Sequence, residues 1–133
     1  MKLLVLISLM AIFIASGCVS ETATDYCKDF DLNETQAWHL RDYAIGNNDT
    51  ATCNDLFCYP PEFNQCYREI AMKKQDIAIC NQMRSFADLH DSRYANYDDC
   101  VIGVAYATGD VNICNLLTAE KRGSCRSTAE HLV

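Results

Sequence analysis

Nine cysteines are the residues of this 133-residue chain whose type and spacing suggest chemistry most directly. Their thiols could bind a metal ion, carry out redox chemistry or form structural disulfides. No Cys-x2-Cys pair occurs, and the spacing from Cys53 to Cys58 fits neither a zinc site nor a thioredoxin-like site. An even set of eight cysteines follows Cys18, which in a short chain favours four disulfides and predicts no metal site. The eight are Cys27, Cys53, Cys58, Cys66, Cys80, Cys100, Cys114 and Cys125.

Other reactive side chains form no recognisable catalytic pattern. The histidines, His39, His90 and His131, have no partner at metal-ligand spacing, so exposed or structural roles are expected. The neighbouring carboxylates Asp98 and Asp99 leave a general acid/base pair open. No glycine-rich phosphate loop, nucleophile elbow or zinc-protease motif occurs. The sequence therefore predicts no catalytic residue and no cofactor, with an enzyme kept as an alternative.

Residues 1–17 have the pattern of a secretory signal peptide. Lys2 is followed by an apolar run from Leu3 to Ala15 and then by small residues. The run is too short to span a bilayer, which takes about 20 residues. A buried N-terminal helix or a retained membrane anchor is the alternative.

Residues 14–18, Ile-Ala-Ser-Gly-Cys, resemble the lipobox of prokaryotic lipoproteins, in which the cysteine is lipidated and becomes the mature N-terminus. Lipidation of Cys18 would also leave an even number of cysteines for disulfides. Residues 18–26 would then be the lipidated cysteine and a polar tether, and residues 27–133 a single cysteine-rich domain. The resemblance implies an exported protein held by lipid on the outer side of the cytoplasmic membrane or at the cell surface. Simple cleavage after Gly17, without lipid, is the other reading of the same residues.

The charge of the chain restricts its partners. The formal net charge is −7, and the basic residues form no cluster beyond isolated pairs such as Lys73-Lys74 and Lys121-Arg122. An acidic chain without a basic stripe does not fit nucleic acid or anionic lipid head groups. We therefore expect no nucleic-acid partner, and membrane contact through the lipid alone.

An internal repeat organises the chain. Three segments, 44–56, 71–83 and 105–117, align without gaps and share five positions. These positions are Ala44, Ala71 and Ala105; Asp49, Asp76 and Asp110; Cys53, Cys80 and Cys114; Asn54, Asn81 and Asn115; and Leu56, Met83 and Leu117. Another cysteine, Cys66 or Cys100, lies five residues before the alanine of the second and third copies. His39 takes its place in the first copy, and a partial fourth copy begins at Cys125.

Each copy predicts a helix, a tight turn and a shorter second helix. Pro61 suits the first turn of a long helix, and Lys73-Lys74 suits its last turn. The aspartates of the repeat would cap the second helices: Asp49, Asp76 and Asp110. Gly46 and Gly109 would let the preceding helices end in the left-handed conformation. The predicted fold is all-α, with short disulfide-stapled helical hairpins stacked as a small α-solenoid-like repeat domain.

The repeat also favours one disulfide pairing. Second helices this short are marginal on their own, so the bridges should hold them to the rest of the domain. Because the repeat should repeat its bridge, each second helix would be joined to the start of the next long helix. Of 105 connectivities, the simplest is then Cys53–Cys66, Cys80–Cys100 and Cys114–Cys125, with Cys27–Cys58 as the remaining pair.

The repeat unit resembles the cysteine-containing helical-hairpin repeats of small exported lipoproteins of prokaryotes, notably archaea, over residues 39–129. This resemblance implies a fold and a location, and no activity. In design the chain is also similar to secreted repeat proteins of the Sel1 type, whose stacked hairpins bind partners. Two sequons, at Asn33 and Asn48, are candidate glycosylation sites in such an exported protein.

These features predict a surface-displayed binding module, anchored by lipid, whose protein or surface partner the sequence does not identify. The aromatic residues Phe86, Tyr94 and Tyr97 are the candidate contact surface, because they lie between the second and third copies. An envelope enzyme or thiol-redox protein and a purely structural envelope component are the two alternatives.

Overall fold

The computed structural model describes residue 27 and residues 31–90 and 95–131, and all regular structure within them is helical. The all-α prediction is therefore confirmed. The predicted signal peptide (1–17), Cys18, the tether (18–26) and Tyr94 lie outside the described residues.

Six α-helices and one 3₁₀ helix make up the described fold. They are α1 (Glu34–Asn47), α2 (Thr50–Asn54), α3 (Pro60–Lys74), α4 (Ile77–Leu89), α5 (Tyr97–Thr108), the 3₁₀ helix (Val111–Leu116) and α6 (Ala119–Glu130). The long helices pack in chain order, α1 against α3, α3 against α5 and α5 against α6. Helix α4 packs against both α3 and α5.

The aspartates of the repeat are the N-caps of the second elements. The carboxylate of Asp49 accepts from the Thr52 hydroxyl and from the backbone N–H groups of Thr52 and Ala51, and these bonds, that of the hydroxyl most of all, lower its pKa. Asp76 accepts from Ala78, and Asp110 from Asn112, each at 2.9 Å. A local sequence signal thus starts each of these elements.

The residue before each capping aspartate has the left-handed conformation. Asn48, Gln75 and Gly109 have φ values of 55°, 53° and 68°. This confirms the expectation for Gly109. The expectation for Gly46 is wrong, because Gly46 lies inside α1 and Asn48, one of the few residue types that tolerate positive φ, makes the turn.

The second elements differ in length more than the repeat predicts. Helix α2 has 5 residues and the 3₁₀ helix has 6, but α4 has 13. Its buried residues, Ile79, Cys80, Met83 and Ala87, continue the helical spacing of apolar positions well beyond the repeat motif. The prediction of a short second helix is therefore wrong for the second copy, where this helix has 13 residues.

The core is built from the remaining repeat positions. The alanines, cysteines and leucine or methionine residues of all three copies are at most 3 % exposed. Helices α3 and α5 approach closely at Gly103, where an added Cβ would lie 2.9 Å from the Met72 sulfur. Gly103, which is not a repeat position, thus lets α3 and α5 pack closely at this point.

Four disulfides link the elements of the fold. They are the four predicted pairs, three from the repeat and one as the remaining pair. Cys53–Cys66, Cys80–Cys100 and Cys114–Cys125 each join a second element to the next long helix, and Cys27–Cys58 is the fourth. The Cα–Cα distances are 5.4–5.7 Å. The six cysteines of the first three bridges are at most 1 % exposed.

Gly109→Ala and Gly123→Ala form a matched pair of substitutions. A Cβ at either position meets no atom within 4 Å, but Gly109 has positive φ whereas Gly123 lies within α6. We expect Gly109→Ala to lower the free energy of unfolding by about 1–2 kcal/mol. Gly123→Ala should raise it by about 0.5–1 kcal/mol, because alanine is the better helix former. Guanidinium denaturation measures both, and equal shifts would contradict the left-handed turn.

Candidate functional site

The asparagine that follows each repeat cysteine bonds to the next long helix. The Oδ1 atom of Asn54 accepts from the Tyr67 hydroxyl at 2.6 Å, and that of Asn81 accepts from the Tyr97 hydroxyl at 3.0 Å. Asn115 accepts from the Arg126 guanidinium at 3.0 Å. Each Cys-Asn pair therefore holds the next long helix by two bonds, a disulfide from the cysteine and a hydrogen bond to the asparagine.

Tyr67 is the most deeply buried of these donors. Its side chain is 2 % exposed, and burial raises the pKa of its phenol to about 12. The hydroxyl therefore keeps its proton at any physiological pH and donates it to Asn54. This bond fixes the orientation of the Asn54 amide.

Asn54 and Asn81 line a common groove, which we call the α2–α4 groove. It is a shallow groove, open to solvent, with a volume of about 570 Å³ between α2 and α4, and Tyr67 of α3 is also among its lining residues. Its lining includes hydroxyl and amide side chains as well as apolar ones. The lining residues are Thr50, Ala51, Asn54, Tyr67, Ala78, Asn81, Gln82, Ser85, Phe86 and Leu89.

An aromatic cluster supports the groove from below. Phe86 packs edge-to-face against Phe57 at a centroid distance of 5.4 Å, and Phe57 packs in the same way against Phe63. The His90 ring lies 4.5 Å from that of Phe86. His90 is half-buried against these rings, and Phe86, a lining residue of the groove, packs on the buried Phe57.

The aromatic residues predicted as one contact surface are divided between two places. Phe86 lines the α2–α4 groove, whereas Tyr97 lines a second cavity of about 480 Å³ beside α4, α5 and α6. The Arg84 guanidinium lies 5.1 Å from the Tyr97 ring centroid. The third residue, Tyr94, lies outside the described residues.

The neighbouring carboxylates are engaged in ion pairs. Asp98 binds Lys121, which raises the pKa of the lysine, and Asp99 lies 3.6 Å from the Arg68 guanidinium. Among residues 27, 31–90 and 95–131, no three histidine, cysteine or acidic side chains come together as a metal site would require. In the same residues, no helix has both the length and the apolar character needed to cross a membrane.

His39 does not lie in the core, although it occupies the position of the buried Cys66 and Cys100. Its side chain is exposed on α1. Helix α1 carries no cysteine, so no bridge pins this face of the helix to another element. His131 is also exposed, after the last turn of α6.

The two sequon asparagines have structural roles at helix ends. Asn33 caps α1, with its side chain accepting from Gln36 and the Gln36 side chain accepting from the Asn33 backbone. It remains exposed. Asn48 forms the left-handed turn after α1 and is half-buried. Asn33 is therefore the more accessible of the two candidate glycosylation sites.

No protein-family model matches the chain, and neither a curated protein nor a solved structure shows significant similarity to it.

Proposed function

We propose that this protein is an exported lipoprotein of the cell envelope, anchored through lipid on Cys18, that acts by binding a partner. In this proposal the helical hairpins stack as a small α-solenoid-like array, in keeping with the order in which α1, α3, α5 and α6 pack. Signal peptide 1–17 directs export, and residues 18–26 tether the domain to the membrane. The domain thus presents its surface outside the cytoplasmic membrane.

One observation carries the proposal. The four disulfides use all eight cysteines after Cys18, so Cys18 is left with no cysteine of the chain to bond to. Disulfides persist in oxidising, extracytoplasmic compartments. A ninth cysteine that ends a lipobox-like segment then has an obvious use as the lipid attachment site.

Binding fits the described residues better than catalysis does. The repeat aspartates are capping residues, and six of the eight bonded cysteines are at most 1 % exposed, which keeps them from reductants. The α2–α4 groove, by contrast, combines apolar side chains with hydroxyl and amide groups, and both kinds of group are found in ligand sites. A rigid scaffold with such a groove is suited to holding a partner.

Mass spectrometry of the protein purified from membranes tests the anchor. Free thiols are alkylated before non-reducing digestion. We expect a diacylglycerol mass on a peptide that begins at Cys18, and no alkylated cysteine among the other eight. An unmodified Cys18, or an alkylated thiol among the eight, would contradict the proposal and favour redox chemistry.

A further inference from the structure

We infer that the α2–α4 groove binds an extended peptide segment of a partner, whose main-chain carbonyl groups accept hydrogen bonds from the side-chain amides of Asn54 and Asn81. This inference deepens the binding role proposed above and rests on it.

The first step is the orientation of the two amides. A 2.6 Å contact between Tyr67 and Asn54 has the length of an O–H···O bond, which places Oδ1 of Asn54 toward the tyrosine. The amide NH₂ of each asparagine then points away from the neighbouring helix. Each NH₂ group has two donors, and none of them has a partner within the described residues.

The second step is the charge of the groove. None of its described lining residues is charged, although charged residues make up 22 % of the chain. Such a site offers no counter-ion for a phosphate or carboxylate ligand. It suits a neutral ligand that is rich in hydrogen-bond acceptors, and the peptide main chain is such a ligand.

The third step is the periodicity of the site. The two donors occupy the same repeat position on opposite walls of the groove, so they suit a ligand that offers acceptors at intervals. An extended strand directs successive carbonyl groups alternately to its two edges, so a single strand could offer an acceptor to each wall. Its side chains would meet apolar walls such as Ala51, Phe86 and Leu89. Leu89 is 76 % exposed, so covering it would bury apolar surface.

The test uses the full-length protein, purified with its disulfides intact, and a phage-displayed library of random 12-residue peptides. An enriched peptide is synthesised, and its Kd is measured by calorimetry. Asn54→Asp and Asn81→Asp keep the oxygen that accepts from the tyrosine but replace the NH₂ donors with a carboxylate oxygen. We expect each substitution to raise the Kd by about tenfold or more without lowering the Tm.

Asn115→Asp is the matched control. It makes the same change, with the same added charge, at the same repeat position outside the groove. Its Kd should stay within about twofold of the wild-type value, since a residue away from the contact adds little. A control that weakens binding as much as N54D would overturn the inference, because the added charge would then explain the loss.

Three other outcomes are decisive. A peptide that binds N54D and N81D as tightly as wild type would show that the groove is not the binding site. The proposed binding role would then still hold, with a site elsewhere on the protein. Failure to enrich any peptide overturns the inference, while the anchor is judged separately by mass spectrometry. If a panel of neutral oligosaccharides binds instead, and N54D and N81D abolish that binding, the site is right and the ligand class is wrong.

Discussion

Reduction of the four disulfides is expected to unfold the domain. The bridges close segments with sequence separations of 31, 13, 20 and 11 residues. In the chain-entropy model, each bridge of this kind stabilises the folded state by about 3 kcal/mol. Their combined effect, on the order of 12 kcal/mol, is comparable to the entire net stability of a typical domain, about 5–15 kcal/mol. The short elements α2 and the 3₁₀ helix should be lost first, because helices of this length are marginal alone.

Circular dichroism at 222 nm measures this loss, with the reduced protein alkylated to prevent reoxidation. The double substitution Cys80→Ala/Cys100→Ala isolates the central bridge and should lower the free energy of unfolding by about 3 kcal/mol. A reduced protein that keeps its helical signal and its Tm would show that the core is sufficient without the bridges.

Phe63→Ala should be the most destabilising single truncation on the α3 side of the groove. The Phe63 side chain is 1 % exposed, and its ring lies 5.4 Å from Phe57 and 5.2 Å from Tyr67 between centroids. Truncation removes apolar contact and leaves a cavity, which costs about 3–5 kcal/mol for a buried phenylalanine. Urea denaturation of the oxidised protein measures the change.

Tyr43→Ala is the control for Phe63→Ala. Tyr43 is an aromatic residue of α1 that is 60 % exposed. Its truncation should change the free energy of unfolding by no more than about 0.5 kcal/mol. Similar losses for the two variants would mean that the aromatic cluster under the groove contributes little packing energy.

Asn54 and Tyr67 line the groove and also form a hydrogen bond between α2 and α3. These residues therefore connect the stability of the protein to its proposed role. The Tyr67 hydroxyl holds the Asn54 amide in one orientation, and the Phe63 and Phe57 rings support the Phe86 wall. A site whose groups are already fixed loses less conformational entropy when it binds a ligand. In the proposed binding role, the contacts that hold Asn54 and Phe86 in place would therefore contribute to affinity as well as to stability.

The sequence by itself determined the helical class, the N-caps and the disulfide pairing. Each capping aspartate acts on backbone groups within three residues, so its effect can be read locally. The pairing followed because a covalent bond repeated in each copy must join the same elements. Cys27–Cys58 was then the remaining pair.

Only the tertiary structure decided the role of the asparagines, the place of His39 and the existence of the groove. The bonding partners of Asn54, Asn81 and Asn115 lie 13, 16 and 11 residues away, and they differ in type, two being tyrosines and one an arginine. Tyr67 and Arg126 directly follow the bridged cysteines Cys66 and Cys125, but Tyr97 lies three residues before Cys100, so no constant position marked all three partners. The groove exists because α2 and α4 come to lie beside each other over α3. That juxtaposition depends on how α2 and α4 each pack against α3, and local sequence signals do not encode this packing.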